Sequence, residues 1–356
     1  MTVSSWDDYP VHQASEFIAH VATSDRNFYD RYYFNLHPSS ADYFAIIGVG
    51  QYPNLGVKDA FVDVRVGAEQ HIVRASAPLT DRMDGAVGPL RVEVLEPLRR
   101  LRVIVEPSEH SVAMDVTWEG HGPVVAEPRQ FLRSHGRVLF DTQRLAQMGT
   151  WRGTLSVAGT DYAVTPDRCK GSRDRSWGVR PVGEPESDGI RQGAHVFSGM
   201  WNYTPMQFDD HCIFAICHER DSGERLLEEG RRVWLDGRVE PLGRPEHDHT
   251  LVPGTRVIER AVIRFPDAGI EIVGTPLLAN WFGVGTGYGV DADWRHGKYQ
   301  GSDPVVQGLV LKVDDVKGLA QYLVVDQSAR YEYDGHVGYG LLEHGFFGPF
   351  ARYGLT

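Results

Sequence analysis

Hydrophobic positions along this chain recur with a period of two far more often than at helical spacing. Val112, Met114, Val116 and Trp118 alternate with polar or small residues, the pattern of a strand with one buried and one wet face. Tyr43–Val49, Ala60–Val66 and Leu101–Val105 read as further strands. So do Ala194–Phe197, Ile213–Cys217, Arg231–Trp234, Val257–Phe265, Ile270–Val273, Leu309–Val313 and Tyr322–Val325 in the second half. One segment, Gln13–Val21, carries a helical pattern, with Phe17, Ile18 and Val21 on a shared face. Asp-Gly pairs beginning at Asp84, Asp188, Asp236 and Asp334 predict tight hairpins. With 39 glycines and 20 prolines, the chain reads as all-β and antiparallel, as barrels or sandwiches. The polar, Pro- and Gly-containing stretch Pro181–Gly189 divides it into two expected domains, residues 1–185 and 186–356.

Composition narrows the function classes. A chain of 356 residues with 42% hydrophobic residues can bury a sizeable core. A formal net charge of -12 with scattered basic residues argues against a nucleic-acid or anionic-membrane partner. No apolar run reaches membrane-spanning length, and Met1–Asp8 lacks the features of a signal peptide. Cys169, Cys212 and Cys217 form neither a disulfide framework nor a zinc spacing, so a reducing cytoplasm is expected. Nucleophile-elbow, Walker and dinucleotide-binding signatures are absent, and no cofactor is expected.

The densest chemistry lies in Gly171-Ser-Arg-Asp-Arg-Ser-Trp-Gly178. Asp174 offers a carboxylate, Arg175 a fixed guanidinium and Trp177 a large π face, three catalytic candidates within four positions. Asp174 suits the acid role if burial raises its pKa, or the base role if a neighbouring arginine keeps it ionised. Arg175 suits an oxygenated substrate, whose developing charge it can hold. The same residues also read as a loop-fixing ion pair and a core tryptophan. Trp201 and Tyr203, followed by Trp294, His296, Glu343 and His344, are candidates for lining a substrate pocket. His247-Asp248-His249 resembles a chelate but has no third ligand at a recognisable spacing, so a solvated loop is expected and no metal site.

Asp174-Arg175-Ser176-Trp177-Gly178 resembles the Asp-His-x-Trp-Gly signature of the hydroxyneurosporene synthase (carotenoid hydratase) family. Tyr32-Tyr33-Phe34, Trp294-Arg-His296-Gly and Gly340-Leu-Leu-Glu343-His344-Gly345 resemble other parts of that family, in the same order. The resemblance implies two tandem lipocalin-like barrels around an apolar cavity. It also implies a cofactor-independent hydratase, dehydratase or isomerase acting on a hydrophobic terpenoid, steroid or polyketide-like molecule. The competing reading is a non-enzymatic carrier of such a molecule. Where the hydratases have a histidine two positions before the tryptophan, this chain has Arg175, which cannot exchange a proton near neutral pH.

Overall fold

The structure, a computed structural model, describes residues 3–182, 198–288 and 290–356. Most of the Pro181–Gly189 stretch, including the Asp188-Gly189 pair, lies outside the described residues, as does Ala194–Phe197. Among the described residues, fourteen strands form one antiparallel sheet and ten form a second. Both sheets curl into half-barrels, the barrels or sandwiches expected from the strand pattern and the two lipocalin-like units that the resemblance implies.

In the first sheet, Val305–Lys312, Glu69–Pro78, Val57–Val66, Phe44–Tyr52, Phe28–Pro38, Cys169–Val179, Arg137–Val157 and Val112–Gly120 lie side by side in that order. The second runs through Arg225–Trp234, His211–Glu219, Gly199–Gln207, His336–Phe347, Val325–Tyr333, Ile270–Asn280 and Ile258–Phe265. The strand Val305–Lys312 belongs to the second half of the sequence yet pairs with Glu69–Pro78, from Val305 opposite Ser76 to Lys312 opposite Glu69.

Alternation along single strands explains how the three largest cores form. Ala45 and Ile47 point into the hollow of the first half-barrel with Trp118 and Trp151, whereas Phe44 and Ile46 point out of it into a core shared between the sheets. The second sheet meets them there with Trp201, Tyr203, Phe214 and Ile216, while Ile213 and Ala215 fill its own hollow. Gly199–Gln207 and His211–Glu219 are buried on both faces, which is why Ile213–Cys217 within the second reads as an apolar run. Truncating a ring such as Phe214 in the shared core should cost about 3–5 kcal/mol.

Two Asp-Gly expectations hold. Asp334 and Gly335, with φ of 46° and 80°, make a two-residue turn between Tyr333 and His336. Gly237, with φ of 93°, turns the chain between Arg225–Trp234 and Val239–Pro241. Asp84-Gly85 is different: Asp84 accepts from Lys58 and the Ala86 amide, and the hairpin turns instead at Gly88. Gln13–Val21 is not a helix but a series of bends and turns. So short a segment nucleates poorly alone, and Phe17 remains 45% exposed with no core to pack on. The α-helix Val313–Ala320 instead follows the crossover strand. Among the described residues no helix is long and apolar enough to cross a membrane.

Candidate active site

The strand Cys169–Val179 runs between Phe28–Pro38 and Arg137–Val157, placing Asp174 opposite Tyr33 on one side and Ala146 on the other. Ser176, two positions along and on the same face, lies opposite both Arg31 and Arg144. On the second sheet Tyr203, Glu343, Asp326 and Asn280 form a single cross-strand row. The two faces enclose a cavity of about 150 Å³, to which Asp174, Arg31, Arg144, Trp201, Tyr203 and Glu343 contribute. The segment after Ile270–Asn280 passes between the sheets and adds Phe282 and Tyr288 to the wall.

The carboxyl groups here sit in unlike settings. Burial pushes Glu343 up to about 7, and the charge of Asp174 adds to the effect; Trp201 Nε1–H, which donates to Glu343, pulls the other way. Burial and the neighbouring Glu343 push Asp326 well above the usual carboxylate range, although the Tyr33 hydroxyl donates to it. Asp326 and Glu343 also hydrogen-bond to each other, so the pair retains a proton at neutral pH. Asp174 is raised by burial as well, but Arg144 and Arg31 favour its ionised form. Arg144 donates from Nε to Glu127 at 2.6 Å, and burial raises Glu127 to about 7. The Tyr203 hydroxyl is buried with no hydrogen-bond partner.

Of the candidates named from sequence, the structure brings together Asp174, Trp201, Tyr203 and Glu343. It separates Arg175 and Trp177 from them, because odd and even residues of a strand point to opposite faces. Arg175 pairs with Asp30, donates to the Arg31 carbonyl at 3.0 Å and lies 4.1 Å over the Tyr32 ring. Trp177 is 37% exposed. Trp294 is buried beneath Arg74, whose guanidinium carbon lies 4.5 Å from the indole. His344 points away from the cavity, its Nε2 accepting from the Ile258 amide at 3.2 Å. His296 stands behind the wall, accepting from Arg31 at Nδ1 (2.9 Å) while its Nε2–H donates to the Thr286 carbonyl (3.0 Å).

The resemblance implies an apolar cavity, whereas this one has aromatic walls crossed by charged groups. Arg31, Arg144, Glu127 and Asp326 carry no sequence motif. Polar neighbours such as Asp30, Gln143 and Gln327 surround them in the sequence, so nothing in the local pattern marks them out. The expected solvated loop at His247-Asp248-His249 is also corrected. His247 and His249 are buried at 0% and 6% exposure, their rings 5.2 Å apart, while Asp248 between them turns outward to Arg264. Burial holds both imidazoles well below the usual histidine range, His249 at about 3. Among the described residues no group of three or more His, Cys, Asp or Glu is placed to hold a metal ion.

Fold and site together define a double lipocalin-like β protein with a charged, aromatic cavity between its halves. The chain belongs to a family of unknown function, DUF8625, whose profile matches residues 3–356. No curated protein matches it by sequence. Among solved structures it is similar to a candidate AttH from Nitrosomonas europaea, at 12% identity and a TM-score of 0.55, covering 95% of this chain and 98% of that one. It is also similar to kievitone hydratase from Nectria haematococca, at 14% identity and a TM-score of 0.50, covering 89% and 88%. A third neighbour, CghA, is 10% identical with a TM-score of 0.51, covering 90% and 89%. At these identities the likeness is one of fold.

Proposed function

We propose that the chain is a cofactor-independent lyase or isomerase, adding or removing water on the oxygenated end of a hydrophobic, terpenoid- or polyketide-like molecule held between the two sheets. The observation that carries this reading is the pair of carboxyl sites on opposing walls of one small cavity, Glu343 sharing a proton with Asp326 and Asp174 flanked by arginines. Unlike environments divide acid from base. In the dehydration direction Glu343 gives its proton to the departing hydroxyl, which leaves as water. Asp174 takes a proton from the adjacent carbon, and the C–H electron pair becomes the new double bond. Tyr288, Phe282 and Trp201 face any positive charge that develops on carbon. A hydratase, as kievitone hydratase is named, built on the same fold adds support.

The test is turnover of a panel of hydroxy- and unsaturated carbonyl compounds by the full chain, followed by mass spectrometry for gain or loss of one water. Asp174→Asn and Glu343→Gln should each cost about 100-fold or more. Saturable binding with no turnover of any compound would mark a carrier, and full activity in both variants would remove these residues from the chemistry.

A further inference from the structure

Arg31 lies in the same cavity without an anion of its own. It is 3% exposed, yet among the described residues it makes no ion pair. Nη1 donates to His296 at 2.9 Å, whereas Nε and Nη2 are buried with no hydrogen-bond partner. His296 contributes no negative charge, because its Nε2–H is committed to Thr286 and Nδ1 is the acceptor of a neutral ring. Of the two aspartates that act on Arg31 from further away, Asp59 is occupied by the Tyr52 hydroxyl (3.1 Å) and the Gly297 amide (2.7 Å). The other, Asp174, takes a hydrogen bond from Ser176.

No carboxylate touches this guanidinium: Asp59 and Asp174 favour its charge from further away, and packing sets its position. Its carbon lies 5.5 Å from the Tyr288 ring centre and 6.0 Å from that of Phe61. Gly48 leaves the room it needs: a Cβ there would come within 2.7 Å of Nη2 and 2.4 Å of the Phe61 ring. A desolvated guanidinium with idle donors is costly to maintain for structure alone. Its fork matches an oxyanion, which it can bind through two parallel hydrogen bonds. The cavity volume of about 150 Å³ is that at which an interior void accepts one benzene ring, and Tyr29, Phe282 and Tyr288 line it.

We propose that Arg31 is an oxyanion subsite and that the ligand presents to it a single ring, or the ring end of a larger molecule, bearing a carboxylate. This rests on reading the cavity between the sheets as the active site. It also moves to Arg31 the oxygen-holding role that the sequence suggests for Arg175.

The probes are benzoate and its neutral counterpart benzamide, titrated into the full chain by calorimetry. Benzoate should bind saturably and at least about ten-fold more tightly than benzamide, the margin of a charge-assisted hydrogen bond. Arg31→Met should abolish the preference, and Arg31→Lys should keep only part of it. Equal binding of the two probes by the native chain would overturn the subsite, and that comparison needs no variant to fold. A preference that survives Arg31→Met would overturn it as well. Asp174→Asn and Glu343→Gln should retain the benzoate preference. Turnover without benzoate preference therefore sinks the subsite alone, and benzoate preference without turnover of any compound sinks the lyase reading alone.

Discussion

Tyr33 on the first sheet donates its hydroxyl hydrogen to Asp326 on the second, a bond between residues 293 positions apart. It ties the docking of the half-barrels to the protonation of the Asp326–Glu343 pair. Tyr33→Phe should destabilise the chain by about 1–3 kcal/mol, since a buried carboxyl oxygen loses its donor. Because that donor favours the ionised form, Asp326 should also rise further above the carboxylate range. Urea unfolding at neutral pH measures the first effect; a change below about 0.5 kcal/mol would show that the bond contributes little.

Glu343 sets a pH limit on the proposed reaction. As the acid, it must hold a proton, so the rate should fall as pH rises through about 7. Trp201→Phe removes a donor that favours ionised Glu343, and the falling limb should move to higher pH by about one unit. A limb that stays in place in this variant counts against Glu343 as the titrating group.

Asp174 and Arg175 are adjacent in sequence and opposed in space, so their substitutions should differ in kind. Arg175→Met leaves the cavity wall untouched and leaves Asp30 with its second partner, Arg82 at 3.0 Å. Its turnover should remain within about three-fold of the native value, since it contributes nothing to proton transfer, while Asp174→Asn loses most of its rate. Equal losses in the two variants would contradict the division of faces.

Asp63 offers a prediction independent of function. It is buried with Gln70 Nε2 donating at 2.8 Å, and burial raises it to about 8 from an ordinary 3.8. A raised carboxyl stabilises the fold fully only below its unfolded pKa, and that contribution is lost as pH rises through about 8. Asp63→Asn should therefore melt close to the native chain at pH 4 but at least about 3 °C higher at pH 9, a gain of order 1 kcal/mol. Melting curves at the two pH values give the comparison, and a variant less stable at both would refute it.

Period-two alternation was sufficient to place the strand at Val112–Gly120, because one wet face preserves the signal. The same rule, applied to Gly171–Gly178 as a strand, would have assigned Asp174 and Arg175 to opposite faces. Their density instead reads as one cluster, with Asp174, Arg175 and Trp177 all candidates for the same chemistry. Asp326 and Arg31 were harder to find. Arg31 meets Ser176, and Asp326 meets Tyr33, only through elements far away in the sequence, although Asp326 and Glu343 share one hairpin. His247 and His249 misled for the opposite reason. Polar residues after a proline suggest solvent, yet an extended backbone turns every second one inward.

The crossover strand Val305–Lys312 has a consequence for synthesis. The first sheet cannot finish its edge at Glu69–Pro78 until residue 312 has been made, long after its other strands are available. During that interval the edge offers unpaired backbone groups to any passing strand. Gln70 and Arg74 lie along it, and each waits for a partner made later, the Trp281 amide and Gln307. Translation speed across the second half should therefore govern how much of this protein reaches its native state, and a nascent chain stalled before residue 305 should be the species chaperones hold.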